Sequence, residues 1–255
     1  MSANGIRPNL LIIGAHKCGT TALHHYLSLH PEIFMSRTKE LHFFVEELNW
    51  NRGPEWYERY FTPGPRRADS ARVYGESSPS YTNYPKYSGV PKRAYSLVPN
   101  AKLILMVRDP VDRIVSHYRM ERARSAGRQT FTEAALRHFR NPYVWQSMYW
   151  MQLRQYLDYY PISRILVATQ EELHRERRAT LRRVFRFLGV DDTMDDPEFD
   201  SEINTSLGRE EKAFGEEAPR PTMTEEQREK LVEHLKGDIG ELRKHTGQRF
   251  DGWCV

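Results

Sequence analysis

The residues from Gly14 to Thr21, GAHKCGTT, carry the first sign of chemistry in this sequence. They follow an apolar run, and their two glycines are spaced as in a phosphate-binding loop, G-x-x-x-x-G. Such a loop turns backbone N–H groups towards an anion, and the N-terminus of the next helix adds a positive dipole end. A Walker A loop has lysine directly after the second glycine, whereas this loop has Thr20 there and Lys17 inside the loop. The pattern predicts an anion site that differs from the Walker A type.

A second candidate anion site is the segment RDPVDRIVSHY, which begins at Arg108 and follows the apolar run Ala101–Val107. Asp109 suits the cap of a helix and Pro110 suits its first turn, so Ser116 is expected two turns into that helix. An arginine can hold a phosphate through two parallel hydrogen bonds, and a serine hydroxyl can add a third. Taken alone, the segment is more typical of a capped helix with ordinary surface arginines, so the second phosphate contact at Arg108 and Ser116 depends on the resemblance described below.

A candidate general base lies in TKELHFF, residues 38–44. Glu40 and His42 are two positions apart, so in an extended segment they face the same way. The neighbouring Phe43 and Phe44 favour a raised pKa for the Glu40 carboxyl, which suits a base near neutral pH. His42 is the alternative base, as the resemblance described next implies, because cytosolic members of that family use histidine as base. We favour Glu40 and keep His42 open.

Together these motifs resemble the sulfotransferases that use 3′-phosphoadenosine 5′-phosphosulfate (PAPS) and release 3′-phosphoadenosine 5′-phosphate (PAP). AHKCGTTAL is similar to their 5′-phosphosulfate loop, VRDPVDRIVSHY to their 3′-phosphate motif, and KELHFF to the KE-x-HFF segment of bacterial and heparan-type members. The resemblance implies that Lys17 contacts the bridging region of the phosphosulfate, and that Glu40 acts as base with His42 in support. It also implies a set of cofactor-binding residues. These are His16, Lys17, Cys18, Gly19, Thr20, Thr21, Arg108, Ser116 and Arg209.

Two further segments resemble parts of the same family that face the acceptor. GESSPSY, residues 75–81, is similar to the family's GEKSPSY, with Ser77 in place of the usual lysine, which argues against a highly sulfated glycan as acceptor. The segment WQSMYWMQ, which begins at Trp145, looks like the family's SxYxxQL helix. The resemblance implies a set of acceptor-binding residues. These are Phe43, Glu76, Ser78 and Tyr149.

Cys18 lies inside the first loop, beside Lys17 and the expected helix N-terminus. Both neighbours favour a thiolate, so a thiol alkylator is expected to block cofactor binding. We nevertheless favour a filling role for this small side chain, because direct sulfuryl transfer needs no covalent intermediate. The implied reaction is in-line transfer to a hydroxyl, and no metal is required.

The elements that must position these residues alternate between strands and helices. Apolar runs at Asn9–Gly14, Ala101–Val107 and Arg164–Thr169 read as buried parallel strands. Helices are expected after the first two strands, and also over residues 146–159, 175–188 and from 224 towards 245, the last with a capping box. Residues 32–81 and 191–221 are less regular and are expected at the rim of the sheet. The pattern predicts an α/β fold, a P-loop-like three-layer sandwich with a central parallel sheet flanked by helices, in one domain over residues 1–255.

Composition and charge limit the partners and the cellular location that we expect. The chain has 255 residues, a net charge of +4 and mixed acidic and basic residues, so we expect no nucleic-acid partner. No apolar run approaches the roughly 20 residues of a membrane span, and the N-terminal residues lack the apolar stretch of a signal peptide. With only Cys18 and Cys254 present, we expect free thiols and a cytoplasmic location. The closer resemblance to the soluble bacterial members of the family implies a bacterial source and a small-molecule, lipid or carbohydrate hydroxyl as acceptor. The alternatives are a P-loop kinase and a non-catalytic domain that binds PAP or another nucleotide.

Overall fold

One five-stranded parallel sheet forms the centre of the molecule. A computed structural model of the chain describes residues 5–64, 69–125, 129–203 and 221–255. In chain order the strands are β1 Leu10–Gly14, β2 Ile33–Met35, β3 Val73–Ser77, β4 Lys102–Val107 and β5 Ile165–Thr169. Their order in the sheet is β2-β3-β1-β4-β5, and every neighbouring pair is parallel. Helices flank the sheet, so the expected α/β, P-loop-like class is confirmed.

β1 is the centre of the sheet because it pairs on both sides. Leu10 is in register with Gly75 of β3 on one side and with Lys102 of β4 on the other. All five residues of β1 are buried, as expected for a strand whose two faces are both covered. The carboxyl ends of β1, β3, β4 and β5 therefore meet at one edge, which is where open α/β sheets bind ligands.

The helices begin where the sequence supplies their start signals. Gly19 precedes the first helix in a left-handed conformation with φ 80°. The Asp109 carboxylate accepts the backbone N–H groups of Val111 and Asp112 at 2.9 and 3.0 Å, which caps the helix after β4. Thr224 forms the expected capping box with Gln227 at the start of the last helix. The α-helices of the described residues are α1 Thr20–Leu29, α2 Pro54–Glu58, α3 Val90–Leu97, α4 Pro110–Ser125, α5 Pro142–Trp145, α6 Tyr149–Leu157, α7 Gln170–Arg175, α8 Arg177–Leu188 and α9 Glu225–Thr246.

Two expectations about the elements are wrong in detail. The segment over residues 32–81 was expected to lie at the rim, but it contributes both β2 and β3 to the sheet. The apolar pattern missed them because β2 has only three residues and β3 ends in Gly75, Glu76 and Ser77, which are buried without being apolar. The helix expected over residues 146–159 is shorter, because α5 ends at Trp145 and α6 spans only Tyr149–Leu157. Asp238 of α9 accepts the N–H groups of Trp150 and Met151 and so caps a new helix, α6.

Gly14, at the end of β1, has no room for a side chain. A Cβ atom there would overlap the hydroxyl of Thr82 and lie 2.9 Å from its Cβ. We expect Gly14→Ala to lower the free energy of unfolding by about 2 kcal/mol, because overpacking forces neighbours to shift. Urea denaturation of this variant and of Gly240→Ala provides the test. Gly240 lies inside α9 with nothing within 4 Å of an added Cβ, so its replacement should raise stability by about 0.5–1 kcal/mol. Equal effects of the two changes would contradict the close approach.

Candidate functional site

A cavity of about 890 Å³ opens at the carboxyl edge of the sheet. Segments that follow all five strands line it, so the chain brings together residues far apart in sequence. Most of the residues predicted to bind the cofactor or act in catalysis line this cavity. These are His16, Lys17, Gly19, Thr20, Thr21, Glu40, His42, Arg108 and Ser116.

The loop between β1 and α1 has the geometry of an anion site. Lys17 and Gly19 both adopt left-handed backbone conformations, with φ 69° and 80°, so the chain turns sharply before the helix begins. Thr20 is buried at the first position of α1, and Thr21 follows it on the cavity side. The N-terminal amides of a helix of ten residues and the Lys17 ammonium are the donors such a site needs.

Arg108 and Ser116 extend the same cavity along α4. The Arg108 guanidinium lies 3.4 Å from the carbonyl of Lys17 and 3.9 Å from Asp112, which places it beside the first loop. The Arg108 side chain is 22% exposed, so its charge is accessible from the cavity although most of the side chain is covered by protein atoms. The two predicted anion contacts are therefore parts of one continuous cavity.

Glu40 and His42 lie at another part of the cavity wall, in the base segment, which we define as residues 38–44. Glu40 Oε2 lies 3.7 Å from His42 Nε2, and Glu40 Oε1 accepts a hydrogen bond of 2.9 Å from Lys39. His42 Nδ1 is 2.6 Å from the hydroxyl of Ser80. The two candidate bases thus face the same way, although the segment is not a strand.

The pKa expected for Glu40 is wrong in direction. Burial raises the pKa of its carboxyl, but the charge and hydrogen bond of Lys39 outweigh that effect and leave it below its usual value. The apolar neighbours do not control this group because 42% of the Glu40 side chain is exposed. Burial also lowers the pKa of His42, against the opposing charge of Glu40. Both groups are therefore deprotonated at neutral pH.

The backbone is strained at the predicted catalytic residues. Among the described residues, the non-glycine positions with positive φ are Lys17, Glu40, His42 and Phe250. Left-handed conformations cost L-residues about 1–3 kcal/mol each and persist where the surroundings hold them. Three of these four positions are the ones that the sequence singled out for catalysis. Such clustering is a common feature of functional sites.

Five predicted site residues do not line the cavity. Phe43, Glu76, Ser78 and Tyr149 are fully buried, with no exposed surface to meet an acceptor. Phe43 stacks on a tyrosine in the core, while Glu76 is occupied by hydrogen bonds from neighbouring hydroxyls. These four residues lie one layer behind the wall, and their contact with an acceptor stays a prediction. Cys18 likewise points into the core. The remaining prediction, Arg209, lies outside the described residues.

Cys18 lacks the thiolate character that its neighbours in sequence favour, and it takes the filling role that we preferred. Its Sγ lies 3.6 Å from the hydroxyl of Tyr149, in the core. Burial raises the pKa of the thiol to about 11, which outweighs the nearby charges of Arg113 and Arg108. Cys18 is therefore a protonated side chain that fills the inside of the loop.

Arg113 is an important support of the site that sequence reasoning missed. It is completely buried, and its guanidinium binds acceptors that hold the back of the cavity. These are the backbone carbonyls of His16 and Tyr143, the side-chain oxygens of Gln146 and Ser147, and His117 Nδ1. An arginine only donates, so His117 Nδ1 accepts and its imidazole is neutral. The signal in the sequence was the i, i+4 spacing of Arg113 and His117, which puts both on one face of α4.

Comparison with known proteins places the chain in a family. The model of the Sulfotransferase domain family matches residues 7–246, so the chain belongs to that family. A human bifunctional heparan sulfate N-deacetylase/N-sulfotransferase 2 is 32% identical over 200 residues, which is 72% of this chain and 22% of that protein. The chain thus spans about a fifth of the length of this relative. The mouse heparan sulfate glucosamine 3-O-sulfotransferase 6 is 30% identical over 262 residues, 96% of this chain and 73% of that protein.

Solved structures agree with the family assignment. A sulfotransferase from Alicyclobacillus acidocaldarius has a TM-score of 0.75 and 27% identity, with 98% of this chain and 100% of that chain covered. The mouse sulfotransferase SULT7A1, solved as a complex with PAP, has a TM-score of 0.55 at 15% identity, with 95% of this chain and 90% of that chain covered. At this identity the similarity supports the fold assignment and nothing further.

Two features are absent from residues 5–64, 69–125, 129–203 and 221–255. Over these ranges, no helix combines the length and the apolar character needed to span a membrane. The same ranges contain no cluster of three or more histidine, cysteine or acidic side chains arranged to hold a metal ion.

The buried thiol of Cys18 gives a direct test of this description. We expect iodoacetamide at pH 7.5 to leave Cys18 unmodified in the folded protein, because the thiol is both covered and protonated. Peptide mass spectrometry measures the extent of labelling, and the same protein in urea is the control that should label fully. Stoichiometric labelling of native Cys18 within minutes would contradict the burial.

Proposed function

We propose that this chain transfers the sulfuryl group of PAPS to the hydroxyl of an acceptor and releases PAP. The observation that carries the proposal is the single cavity lined by Lys17, Arg108 and Ser116 on one part of its wall and by Glu40 and His42 on another. A cofactor with two separated anionic groups and an acceptor that must lose a proton require these two sets of residues in one place.

The residues present fit this co-substrate. The loop at Lys17–Thr21 offers a helix N-terminus and an ammonium to the phosphosulfate. Arg108 and Ser116 offer a guanidinium and a hydroxyl to the 3′-phosphate. The volume of about 890 Å³ lies within the range of small-molecule sites, roughly 300–1,000 Å³.

The proposed mechanism is a direct in-line transfer. PAPS supplies an activated sulfuryl group whose leaving oxygen belongs to PAP. Glu40 accepts the proton of the acceptor hydroxyl as that oxygen approaches sulfur, and His42 orients the acceptor. Lys17 and the amides of its loop stabilise the charge that develops on the leaving oxygen. With these roles for Glu40, His42 and Lys17, the transfer needs no covalent enzyme intermediate.

Glu40 is our choice of base, and His42 is the second candidate. Lys39 keeps the Glu40 carboxylate ionised, so the base form is populated through neutral pH. His42 is held at Nδ1 by Ser80 and lies 3.7 Å from Glu40, which suits an orienting role. The lowered pKa of His42 also makes its neutral form available, so kinetics must separate the two.

We propose a small-molecule, lipid or carbohydrate hydroxyl as the acceptor. Apolar and polar side chains both line the cavity, among them Leu48, Tyr87 and Lys39. Such a wall suits an acceptor that has both a hydrophobic part and hydroxyl groups. Ser77, at the position of the family lysine, is buried and brings no charge to the cavity, which argues against a highly sulfated glycan.

We also propose that the chain is one domain and acts in the bacterial cytoplasm. All strands of the described residues belong to one sheet, which supports a single domain. Both cysteines are free thiols, which suits a reducing compartment. The similarity to the Alicyclobacillus acidocaldarius protein over 98% of this chain supports a bacterial source.

Turnover of Glu40→Gln tests the base assignment. PAP release from PAPS is measured with heparan sulfate, octyl β-glucoside and 2-naphthol as acceptors, and the fastest of the three is used for kinetics. We expect Glu40→Gln to lower kcat by about 100-fold or more and to leave PAP affinity unchanged, because it removes a base and no phosphate contact. Glu47→Gln, an exposed neighbour outside the cavity, is the matched control and should retain normal turnover. Normal turnover in Glu40→Gln would contradict the base role, and no PAP release with any acceptor would contradict the proposed function.

The pH dependence of kcat/KM distinguishes Glu40 from His42. A base works when deprotonated, so activity falls as pH drops through its pKa in the folded enzyme. Since the pKa of Glu40 is below its ordinary value of 4.5, we expect no acid limb above pH 4.5. An acid limb between pH 4.5 and 6.5 that disappears in His42→Asn would assign the base to His42, whose ordinary value is 6.5.

A further inference from the structure

A buried carboxylate lies directly behind the base segment. Glu76, near the end of β3, has no exposed surface and does not line the cavity. It accepts three hydroxyl hydrogen bonds, from Tyr57 at 3.0 Å, Ser78 at 2.6 Å and Tyr81 at 2.5 Å. Burying a carboxylate is costly unless its oxygens are satisfied, and these three donors supply that compensation.

Two of the three hydroxyls continue from Glu76 to the backbone of the base segment. The Ser78 hydroxyl accepts the N–H of His42 at 3.0 Å, and the Tyr81 hydroxyl accepts the N–H of Phe44 at 3.4 Å. Tyr57 differs, because it meets the base segment through its ring, which stacks on Phe43 at a centroid distance of 4.2 Å. Glu76 thus reaches the backbone of the segment through Ser78 and Tyr81.

The base segment needs such a tether. Glu40 and His42 have φ of 64° and 50°, which L-residues adopt only when their surroundings hold them. The segment is not part of the sheet, although Glu40 N–H bonds the carbonyl of Ser77 at the end of β3. A hydroxyl that donates to an anion becomes a stronger acceptor for an amide, because chains of hydrogen bonds polarise one another.

We propose that Glu76 is a positioning residue that holds the base segment in its catalytic conformation through the hydroxyls of Ser78 and Tyr81. Its effect on Glu40 and His42 is indirect, because it touches their segment only through hydroxyls and lies outside the cavity. The inference rests on the proposed function, since it assigns Glu40 and His42 their roles there.

The electrostatics of Glu76 agree with this role. Burial raises the pKa of the Glu76 carboxyl above its ordinary value, and the hydrogen bonds from Ser78, Tyr81 and Tyr57 limit that rise. Those hydroxyls therefore favour the ionised form, which is the form that orients them all as donors. Removal of one hydroxyl leaves two, so a single loss tests the connection without exposing the carboxylate.

The test compares Ser78→Ala with Tyr57→Phe. Each removes one hydroxyl donor from Glu76, but only Ser78→Ala also removes the acceptor of the His42 amide. We expect Ser78→Ala to lower kcat about tenfold, because a small displacement of a catalytic group is costly. Tyr57→Phe should stay within about twofold of the wild type, and both should keep the wild-type affinity for PAP. Turnover is PAP release with the fastest of heparan sulfate, octyl β-glucoside and 2-naphthol.

Two further readouts separate positioning from a merely structural role. Hydrogen exchange at the His42 amide should accelerate in Ser78→Ala and not in Tyr57→Phe. In a Glu40→Gln background, Ser78→Ala should lower the residual kcat by less than about twofold, because a residue that acts through the base has little left to act on. Ser78→Thr keeps a hydroxyl and should recover most of the lost turnover.

The outcomes distinguish this inference from the function on which it rests. Equal losses of kcat in Ser78→Ala and Tyr57→Phe, or an undiminished effect of Ser78→Ala in the Glu40→Gln background, would overturn the positioning role alone. Normal turnover in Glu40→Gln itself would overturn the base assignment and the positioning role with it. An absence of PAP release with all three acceptors would overturn the proposed function.

Discussion

The parallel pairing of β1 with both β3 and β4 is the constraint on which the site depends. It brings the ends of these strands to one edge, so that the loop after β1, the start of α4 after β4 and the turn after β3 face one cavity. The base segment joins this arrangement because the backbone of Glu40 bonds that of Ser77 at the end of β3. A shift of register in either pairing would therefore separate the phosphate-binding residues from the candidate base.

Two buried ionisable side chains, Arg113 and Glu76, lie behind the cavity wall. Arg113 binds the carbonyl of His16 and so holds the loop that carries Lys17. Glu76 is linked through Ser78 to the backbone of His42, in the base segment. Each of the two side chains makes several hydrogen bonds, which offset the cost of burying a polar group. Hydrogen-bond networks behind the cavity thus restrict the backbone of the strained residues that line it.

The sequence predicted the parts of the site that have short-range signals. The strand β1, the glycines of its loop and the cap at Asp109 each reflect local chemistry, and the structure places them as expected. The sequence did not predict how far each side chain lies from the surface of the cavity. Glu76 and Tyr149 belong to motifs that resemble the acceptor face of the family, yet they lie one layer inside the protein. Motif spacing fixes the order of residues along the chain, whereas the direction of each side chain depends on packing between distant segments.

The pKa expectations failed for a related reason. The thiol of Cys18 and the carboxyl of Glu40 were judged by their neighbours in sequence. In the folded protein, burial raises the pKa of the Cys18 thiol to about 11. Glu40 is partly exposed, and the charge and hydrogen bond of Lys39 lower the pKa of its carboxyl. Burial and through-space contacts depend on the tertiary structure. Neighbours in sequence therefore predict the wrong direction of a pKa shift when burial or a distant contact opposes them.

Calorimetric titration with PAP tests the central claim, which is that the loop after β1 and Arg108 form one binding site for a nucleotide with two anionic groups. We expect tight binding of PAP by the wild type, little affinity for ATP with Mg²⁺, and a loss of roughly 10- to 100-fold in Arg108→Ala, because a charged hydrogen-bond partner of the phosphate is removed. Arg122→Ala, on the exposed side of the same helix and outside the cavity, should bind PAP as the wild type does. A preference for ATP with Mg²⁺ would instead favour a P-loop kinase, and unchanged PAP affinity in Arg108→Ala would contradict the two-part site.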